Sequence, residues 1–234
     1  MARVQKLPSL SIIIPTLNEA KSLPLLFADL NSWPYDLDLI IVDGGSNDLT
    51  TSIAEVQGVS VIHCLKKNRG HQLKIGASNA RGNWLLFLHA DSRLDPRWVN
   101  NLLKIIKTET SKDHPWYFDF KIKNNNIQFR FLEIAVALRS CLLQRPYGDQ
   151  GLLIHKDLYN NSGGFYSLKI MEDLDFIIRI TKNKKAKRIG VNIFTDDKKW
   201  YKSNIIRRAI KNARLRKRWR QGCNVDKLSK EYYS

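Results

Sequence analysis

Carboxylates lie at the ends of three apolar runs in this sequence, after two of them and before the third. Asp43 follows residues 37–42, Asp91 comes three residues after 85–88, and the pair Glu172-Asp173 precedes a third apolar stretch. Carboxylate oxygens are the ligands that Mg²⁺ and Mn²⁺ prefer, and such a metal can bridge to substrate phosphates. A carboxylate can also remove a proton as a general base. Asp91 is the first metal-ligand candidate, and the alternative is a turn or cap that opens a helix over 96–107.

The elements that would position these residues are short buried strands. Apolar runs at 10–14, 37–42, 59–64 and 85–88 are separated by stretches with helical character. This alternation predicts an α/β, doubly wound, mostly parallel sheet, in which ligands bind beyond the carboxyl ends of the strands. No glycine cluster follows the first strand, which counts against a dinucleotide-binding Rossmann site.

Composition limits the class of protein. The 234 residues allow one substantial domain, and the net charge of +17 predicts attraction to nucleic acid, anionic lipid headgroups or phosphorylated substrates. The three cysteines lack the paired spacing of a zinc site or disulfide scaffold, which favours a reducing cytosol. No run of about twenty apolar residues occurs, so we expect a cytoplasmic protein that is soluble or attached peripherally to a membrane.

Four segments carry a resemblance to a known family: SIIIPTLNE, VDGGSNDLT, the helix led by Gly70, and LLFLHADSRL. Together they resemble the nucleotide-binding half of family 2 glycosyltransferases, which have the GT-A fold. His89-Ala90-Asp91 lies where that family has its Asp-X-Asp metal motif, and it resembles the selenodomain-associated subgroup. The resemblance implies Mg²⁺ or Mn²⁺ on Asp91. His89 is a second candidate ligand, with a phosphate contact, packing or a hydrogen bond as alternatives.

The same resemblance implies contacts to a nucleotide-diphosphate sugar at the strand ends and at the start of the Gly70 helix. The residues are Pro15, Thr16, Asn18, Glu19, Asp43, Gly45, Ser46, Arg69, Gly70, Gln72, Ala90 and Asp91. From the residues themselves, caps and turns remain the alternative for the strand-end positions, and a solvated loop for Arg69.

The second half resembles the acceptor side of the family. The acceptor-side candidates are Tyr147, Gly148, Asp149, Gln150, Gly164 and Phe165. Gly164-Phe165 followed by Glu172-Asp173 is similar to the acceptor signature, in which a carboxylate is the general base. Asp173 is the preferred catalytic base and Glu172 the other candidate, and the alternative for both is stabilisation of a helix N-terminus.

Between these halves, residues 116–123 are interpreted as an edge or bent strand and 127–143 as an amphipathic helix. The apolar residues of this helix are expected to cover the sheet, with acceptor contacts as the alternative. They are Phe129, Phe131, Leu132, Ile134, Ala135, Val136 and Leu138.

Residues 198–221 are rich in lysine and arginine and contain no acidic residue. Ile205, Ile206, Ala209, Ile210 and Ala213 recur at helical spacing, which indicates a basic amphipathic helix. It would lie on an anionic membrane or pack on the body of the protein. Lys199 and Trp200 are candidates for closing over the diphosphate.

These observations predict a domain over 1–200, with a nucleotide-sugar half at 1–95 and an acceptor half at 96–200, and a basic tail at 201–234. The expected activity is single-displacement, inverting transfer of one sugar from a UDP-linked donor, using a metal and a carboxylate base. The processive Gln-X-X-Arg-Trp motif is absent. The acceptor is unknown, with a lipid-linked acceptor at the inner face of the membrane as one candidate.

Two other activities remain as alternatives. A nucleotidyltransferase shares a related sheet, but the loop PTLNE lacks the glycine-rich, arginine-containing sequence expected there. A nucleic-acid-binding protein would use the basic surface. However, carboxylates at successive strand ends repel phosphate, so no nucleic-acid partner is expected.

Overall fold

The computed structural model describes residues 9–64, 67–124, 126–195 and 205–233. Eight strands within these residues form one sheet: β1 (Leu10–Thr16), β2 (Leu37–Asp43), β3 (Ser60–His63), β4 (Trp84–Phe87), β5 (Arg93–Leu94), β6 (Trp116–Ile122), β7 (Leu152–His155) and β8 (Lys187–Thr195). The helices are α1 (Leu23–Leu30), α2 (Thr50–Val56), α3 (Arg69–Asn79), α4 (Trp98–Lys107), α5 (Ile127–Leu142), α6 (Lys156–Asn161), α7 (Glu172–Thr181), α8 (Ile205–Arg220) and α9 (Val225–Tyr233).

The sheet has the strand order β3-β2-β1-β4-β7-β6-β8-β5. Strands β1 to β4 are mutually parallel, so their carboxyl ends meet at one edge. Strand β7 runs antiparallel to both β4 and β6, and β8 is parallel to β6. The predicted α/β sheet flanked by helices is confirmed, with a mixed second half.

Both faces of β1, of β4 and of the C-terminal part of β2 are buried. Ile12 and Ile14 of β1 pack with residues of α1 and α4, whereas Ile13 packs on the opposite face with residues of α3 and α7. This two-sided burial is the reason for continuous apolar runs rather than alternating patterns in these strands.

The prediction of an edge strand at 116–123 is wrong, whereas the prediction of a bend is confirmed. Strand β6 lies between β7 and β8, and its pairing with β8 shifts register between Tyr117 and Asp119. A register shift of this kind bends a strand locally and re-aims its side chains.

Helix α5 covers the sheet with only part of its apolar surface. Phe129 and Val136 are buried against Phe120 and Ile122 of β6, as expected. Phe131, Ile134 and Leu138 are instead more than half exposed, and Ala135 is exposed as well, so the prediction that they cover the sheet is wrong. A single strand offers one narrow contact face, and these side chains lie on the other side of the helix.

The two C-terminal helices pack next to the start of α7. Leu215 of α8 and Leu228 of α9 are fully buried with Ile170, and Lys169 forms a 2.7 Å ion pair with Asp226. Ile210 is 47% exposed, and Ala213 is exposed as well. The side chains of 205–209 lie outside the described part of the chain. Among the described residues, no helix combines the length and apolar character needed to cross a bilayer.

Gly70 allows α3 to begin directly against the chain at 166–168. A Cβ at this position would lie 2.4 Å from the carbonyl oxygen of Tyr166 and 2.8 Å from the backbone nitrogen of Leu168. We therefore expect Gly70→Ala to lower the free energy of unfolding by about 2 kcal/mol or more, outweighing the gain of about 1 kcal/mol in helix propensity. Urea denaturation measures the change, and Ser78→Ala, at an exposed position of α3, should change it little. Equal stability of the two variants would contradict this close packing.

Candidate active site

The carboxylate of Asp43, at the carboxyl end of β2, is surrounded by donors from the loop that follows it and from Thr16 at the end of β1. Oδ2 accepts hydrogen bonds from the backbone N–H groups of Gly45 and Ser46, and Oδ1 accepts from the hydroxyls of Thr16 and Ser46. Burial raises the pKa of Asp43, and these hydrogen bonds, led by those from Ser46, lower it by more, so that the net pKa lies below the ordinary value. The network favours the turn interpretation for Asp43, and a direct contact to nucleotide stays a prediction.

The loops after β1 and β2 are tied to each other. The N–H of Asn18 donates to the Ser46 hydroxyl, and the N–H of Asn47 donates to Oδ1 of Asn18. Asn18 has a φ of 56°, a left-handed conformation that asparagine tolerates better than most residues. From α3, Gln72 donates its amide to the carbonyls of Thr16 and Val42. The predicted nucleotide-binding loops therefore form one rigid platform.

Asp43→Asn should destabilise the protein most at neutral pH. The substitution places an amide NH₂ among donors and removes charge-assisted hydrogen bonds, which costs about 2–3 kcal/mol of unfolding free energy. Because the native pKa is depressed, this stabilisation is present above the unfolded pKa and is lost as the pH falls below about 4. Denaturation of wild type and variant at pH 7 and pH 3.5 measures the free energy of unfolding. An equal difference between the two proteins at both pH values would contradict a depressed pKa for Asp43.

A cleft of about 380 Å³ brings together residues from both halves of the chain. Arg69, His89 and Asp91 of the first half line it with Tyr147, Asp149, Glu172 and Asp173 of the second half. The sequence predicted these seven positions. The C-terminal helices add Asn212, Arg216, Tyr232 and Tyr233, which the sequence analysis missed.

Asp173, in the first turn of α7, is held in place by backbone N–H groups. Its Oδ2 accepts from Gly148 at 2.7 Å, and its Oδ1 accepts from Leu174 at 2.7 Å. Burial raises the pKa of Asp173, but the charge of Arg69 and the two N–H donors lower it by more. The net result is a pKa below the ordinary value, so Asp173 is a carboxylate at neutral pH.

Glu172 is paired with Arg69 across the interface between the halves. Oε1 of Glu172 accepts from Nε of Arg69, and the glutamate side chain is 1% exposed. Burial lowers the pKa of Arg69, but the charges of Glu172 and Asp173 raise it by more, so the guanidinium stays protonated. This pairing makes Glu172 the anchor of Arg69 and leaves Asp173 as the better placed base.

Asp149 is the second carboxyl group beside Asp173, and its environment has the opposite effect. Within the described residues its Oδ1 is buried without a hydrogen-bond partner. Burial raises the pKa of Asp149, and the positive charge of Arg139 offsets this only in part. Two neighbouring carboxyls whose pKa values are pushed apart are typical of sites that transfer protons.

Met171, immediately before these acidic residues, has a φ of 64°. This left-handed conformation is rare for a residue with a long side chain, and such strain concentrates at functional sites. The contacts at the start of α7 thus hold Met171 in a conformation that costs energy.

Comparison with known protein families decides the class of this site. The family described as glycosyl transferase family 2 matches residues 11–174, which include every predicted nucleotide-sugar, metal and base position except Lys199 and Trp200. The chain belongs to glycosyl transferase family 2. It is a glycosyltransferase, which transfers a sugar from a nucleotide sugar. This class of activity takes the place of the two alternatives, nucleotidyl transfer and nucleic-acid binding.

Two relatives of this glycosyltransferase illustrate the range of similarity. A PGL/p-HBAD biosynthesis glycosyltransferase of Mycobacterium bovis is 29% identical over 184 residues, which cover 75% of this chain and 71% of the relative. An undecaprenyl-phosphate 4-deoxy-4-formamido-L-arabinose transferase of Serratia proteamaculans is 32% identical over 116 residues, covering 45% of this chain and 36% of the relative.

Two solved structures share the GT-A fold of this glycosyltransferase. S. aureus TarS 1–349 in complex with UDP superimposes with a TM-score of 0.65 at 18% identity, over 80% of this chain and 60% of that one. The mannosyltransferase PcManGT from Pyrobaculum calidifontis, in complex with GDP-Man and Mn²⁺, has a TM-score of 0.61 at 15% identity, over 81% and 57% of the two chains. This glycosyltransferase therefore spans about 60% of the length of the TarS fragment.

The predicted metal position, at Asp91, offers few protein ligands. Asp91 lines the cleft, and where the structure describes the chain no three acidic, histidine or cysteine residues are grouped so that they could hold a metal ion by themselves. Mg²⁺ is commonly held by one or two carboxylates, with substrate phosphates and waters completing its shell. The donor set thus fits a metal that binds together with the nucleotide.

The side chain of His89 lies next to Arg69 and Asp173, the predicted base. Its Nε2 lies 3.4 Å from Nη1 of Arg69. A Cβ built on Gly148 would be 3.0 Å from this nitrogen and 3.2 Å from Oδ2 of Asp173. The imidazole and the carboxylate therefore both lie against Gly148. This position favours the hydrogen-bonding alternative for His89.

Several predicted positions of the glycosyltransferase have supporting contacts. Gln150 is buried, where its side-chain oxygen accepts from Arg139 and Ser140 and its amide donates to Phe118. Ala90 lies in the hydrophobic core, and Phe165 lines a smaller cavity under Asp173. Arg179 donates to the carbonyl of Gly164 and holds that turn. Lys199 and Trp200 lie outside the described residues.

Proposed function

We propose that this glycosyltransferase moves a single sugar from a nucleotide-diphosphate sugar to an acceptor hydroxyl, with inversion at the anomeric carbon. The observation that carries the proposal is that Asp173, a carboxylate with a depressed pKa, shares one cleft with Asp91. One group is suited to accept a proton and the other to bind a hard cation. These are the two functions that a direct displacement needs.

In the proposed reaction Asp173 accepts the proton of the acceptor hydroxyl. The acceptor oxygen forms a bond to the anomeric carbon while the bond from that carbon to the diphosphate breaks, and the nucleoside diphosphate departs with the bonding electrons. A single displacement of this kind inverts the configuration. A divalent metal bound by Asp91 would act as a Lewis acid on the leaving phosphates. Arg69 keeps Asp173 ionised before proton transfer.

The donor nucleotide is proposed to lie on the platform formed by the loops after β1 and β2, next to Asp91. The contact residues proposed there are Pro15, Thr16, Asn18, Glu19, Asp43, Gly45, Ser46, Gly70, Gln72 and Ala90. UDP is the first candidate, supported by the TarS complex with UDP, and GDP is the second, supported by the PcManGT complex with GDP-Man and Mn²⁺. Mn²⁺ or Mg²⁺ is the proposed cofactor.

The acceptor is proposed to enter from the side of Tyr147, Gly148 and Asp149, at the junction between residues 96–200 and the tail at 201–234. Residues 1–95 would bind the donor. A lipid-linked acceptor at the inner face of a membrane is the acceptor class we propose, supported by the undecaprenyl-phosphate transferase to which the chain is similar.

The test is a panel of UDP- and GDP-linked sugars incubated with the purified chain and Mn²⁺, with water as a slow acceptor. We expect release of nucleoside diphosphate from one donor, and the first sugar anomer seen by NMR should be inverted. Release should fail in Asp91→Asn and persist in Asp36→Asn, a matched change in an exposed loop. Retention of the anomeric configuration, or release that is insensitive to Asp91→Asn, would contradict the proposal.

A further inference from the structure

Helix α5 carries a continuous apolar stripe on its exposed side. The stripe consists of Ile127, Phe131, Ile134, Leu138, Leu142 and Leu143, which are 67%, 66%, 56%, 53%, 71% and 59% exposed. The first five recur at intervals of four, three, four and four residues, so they share one face of the helix. Single exposed apolar residues are common, but a stripe along a whole helix marks an interaction surface.

The stripe is separate from the face that holds α5 to the protein. Phe129 and Val136 pack on β6, Glu133 accepts from the N–H of Ile122, and Ser140 donates to Gln150. All four are buried. The stripe is therefore not required for the core and is available to a partner.

The charge around the stripe identifies the kind of partner. The chain carries a net charge of +17, and α8 contains no acidic residue along its sixteen positions. Helices α5 and α8 meet at Tyr147, where the guanidinium of Arg139 lies 3.5 Å and that of Arg216 5.4 Å from the ring centroid. An apolar helix face beside a strongly cationic helix is typical of proteins that bind anionic bilayers.

We propose that the outer face of α5 inserts into the surface of an anionic lipid bilayer, with the cations of α8 close to the headgroups. From the sequence alone, membrane contact is predicted only for the basic helix, with packing on the body of the protein as the alternative. The apolar residues of α5 are predicted to cover the sheet or to contact the acceptor. The exposed stripe adds the apolar component that a basic helix needs for stable attachment.

The orientation follows from the path of the chain after α5. The helix ends at Leu142, and the chain then reaches Tyr147 and Gly148, whose N–H donates to the carboxylate of Asp173. A helix lying in the bilayer surface thus brings the acceptor side of the cleft close to the headgroups. In this respect the inference rests on the proposed lipid-linked acceptor.

The test is flotation of the full-length chain with phosphatidylcholine vesicles that contain about 30% phosphatidylglycerol. Wild type should float with these vesicles and bind weakly to pure phosphatidylcholine. Replacing two stripe residues, in Phe131→Ser/Leu138→Ser, should weaken vesicle binding by about tenfold or more. The matched control is Leu49→Ser/Val56→Ser, which removes exposed apolar residues near α1 and α2 and should bind like wild type.

Two measurements separate this inference from the proposed function. Calorimetric titration of UDP or GDP with Mn²⁺ should give the same affinity in the stripe variant as in wild type, and vesicle binding supports the inference whether or not nucleotide binds. Sedimentation velocity tests the competing partner, a second copy of the chain. A wild-type dimer that the stripe variant converts to monomer, wild type that does not float, or a stripe variant that floats like wild type would each overturn the inference.

Discussion

Asp173→Asn should reduce sugar transfer or donor hydrolysis by at least about 100-fold. Asparagine has nearly the same shape and can still accept one backbone hydrogen bond, but it cannot accept the proton of the acceptor hydroxyl. The affinity for nucleoside diphosphate should stay within about twofold of wild type, because the loss is confined to the chemical step. Steady-state kinetics and calorimetry on the same preparation measure both quantities.

The control for this prediction is the neighbouring carboxyl. Burial raises the pKa of Asp149, whereas the charge of Arg69 and two backbone N–H donors lower the pKa of Asp173. We therefore expect Asp149→Asn to have the smaller effect on turnover. Full activity of Asp173→Asn, together with loss of activity in Asp149→Asn, would move the base to Asp149.

Arg69→Met should impair both stability and catalysis, because this residue joins the halves of the site. Its removal leaves Glu172, which is 1% exposed, without its ion-pair partner. Breaking a buried pair costs several kcal/mol, and we expect about 2 kcal/mol here because Arg69 is itself 40% exposed and screened by water. Thermal denaturation at pH 7 measures the loss.

The effect of Arg69→Met on pH dependence has a defined sign. Arg69 lowers the pKa of Asp173, so its removal raises that pKa and shifts the acid limb of the kcat/KM profile to higher pH. The double variant Arg69→Met/Glu172→Gln removes both charges of the buried pair. It should recover most of the stability, and because loss of the Glu172 charge lowers the pKa of Asp173, its acid limb should lie between those of wild type and Arg69→Met. An acid limb that stays in place in both variants would show that Arg69 does not act on the base.

The parallel half of the fold could be predicted because its signals are local. Residues 10–14, 40–42 and 85–88 are buried on both faces, which produces apolar runs, and each run is followed by a polar loop. The resemblance then placed Asp91 and Asp173 in one site, and the cleft that contains both agrees with it.

The remaining features depend on contacts between distant residues. Arg69 and Glu172 are separated by 103 positions, so no local pattern indicates that the arginine serves the acceptor half. Among the side chains of α8 that the structure describes, residues 210–220, Leu215 is the buried one. It lies outside the apolar stripe predicted from spacing and packs on Ile170 and Leu228. In α5, periodicity identified an apolar helix but could not show that β6 covers only one narrow face of it.

The most direct test of the proposed site is calorimetric titration of UDP and GDP, each with and without Mn²⁺, into wild type and Asp91→Ala. Because the described part of the protein offers few metal ligands of its own, we predict that one nucleotide binds tightly only with Mn²⁺. In Asp91→Ala, adding Mn²⁺ should no longer increase the affinity for that nucleotide. Binding of neither nucleotide, or metal-dependent binding that is unchanged in Asp91→Ala, would contradict a donor site built around Asp91.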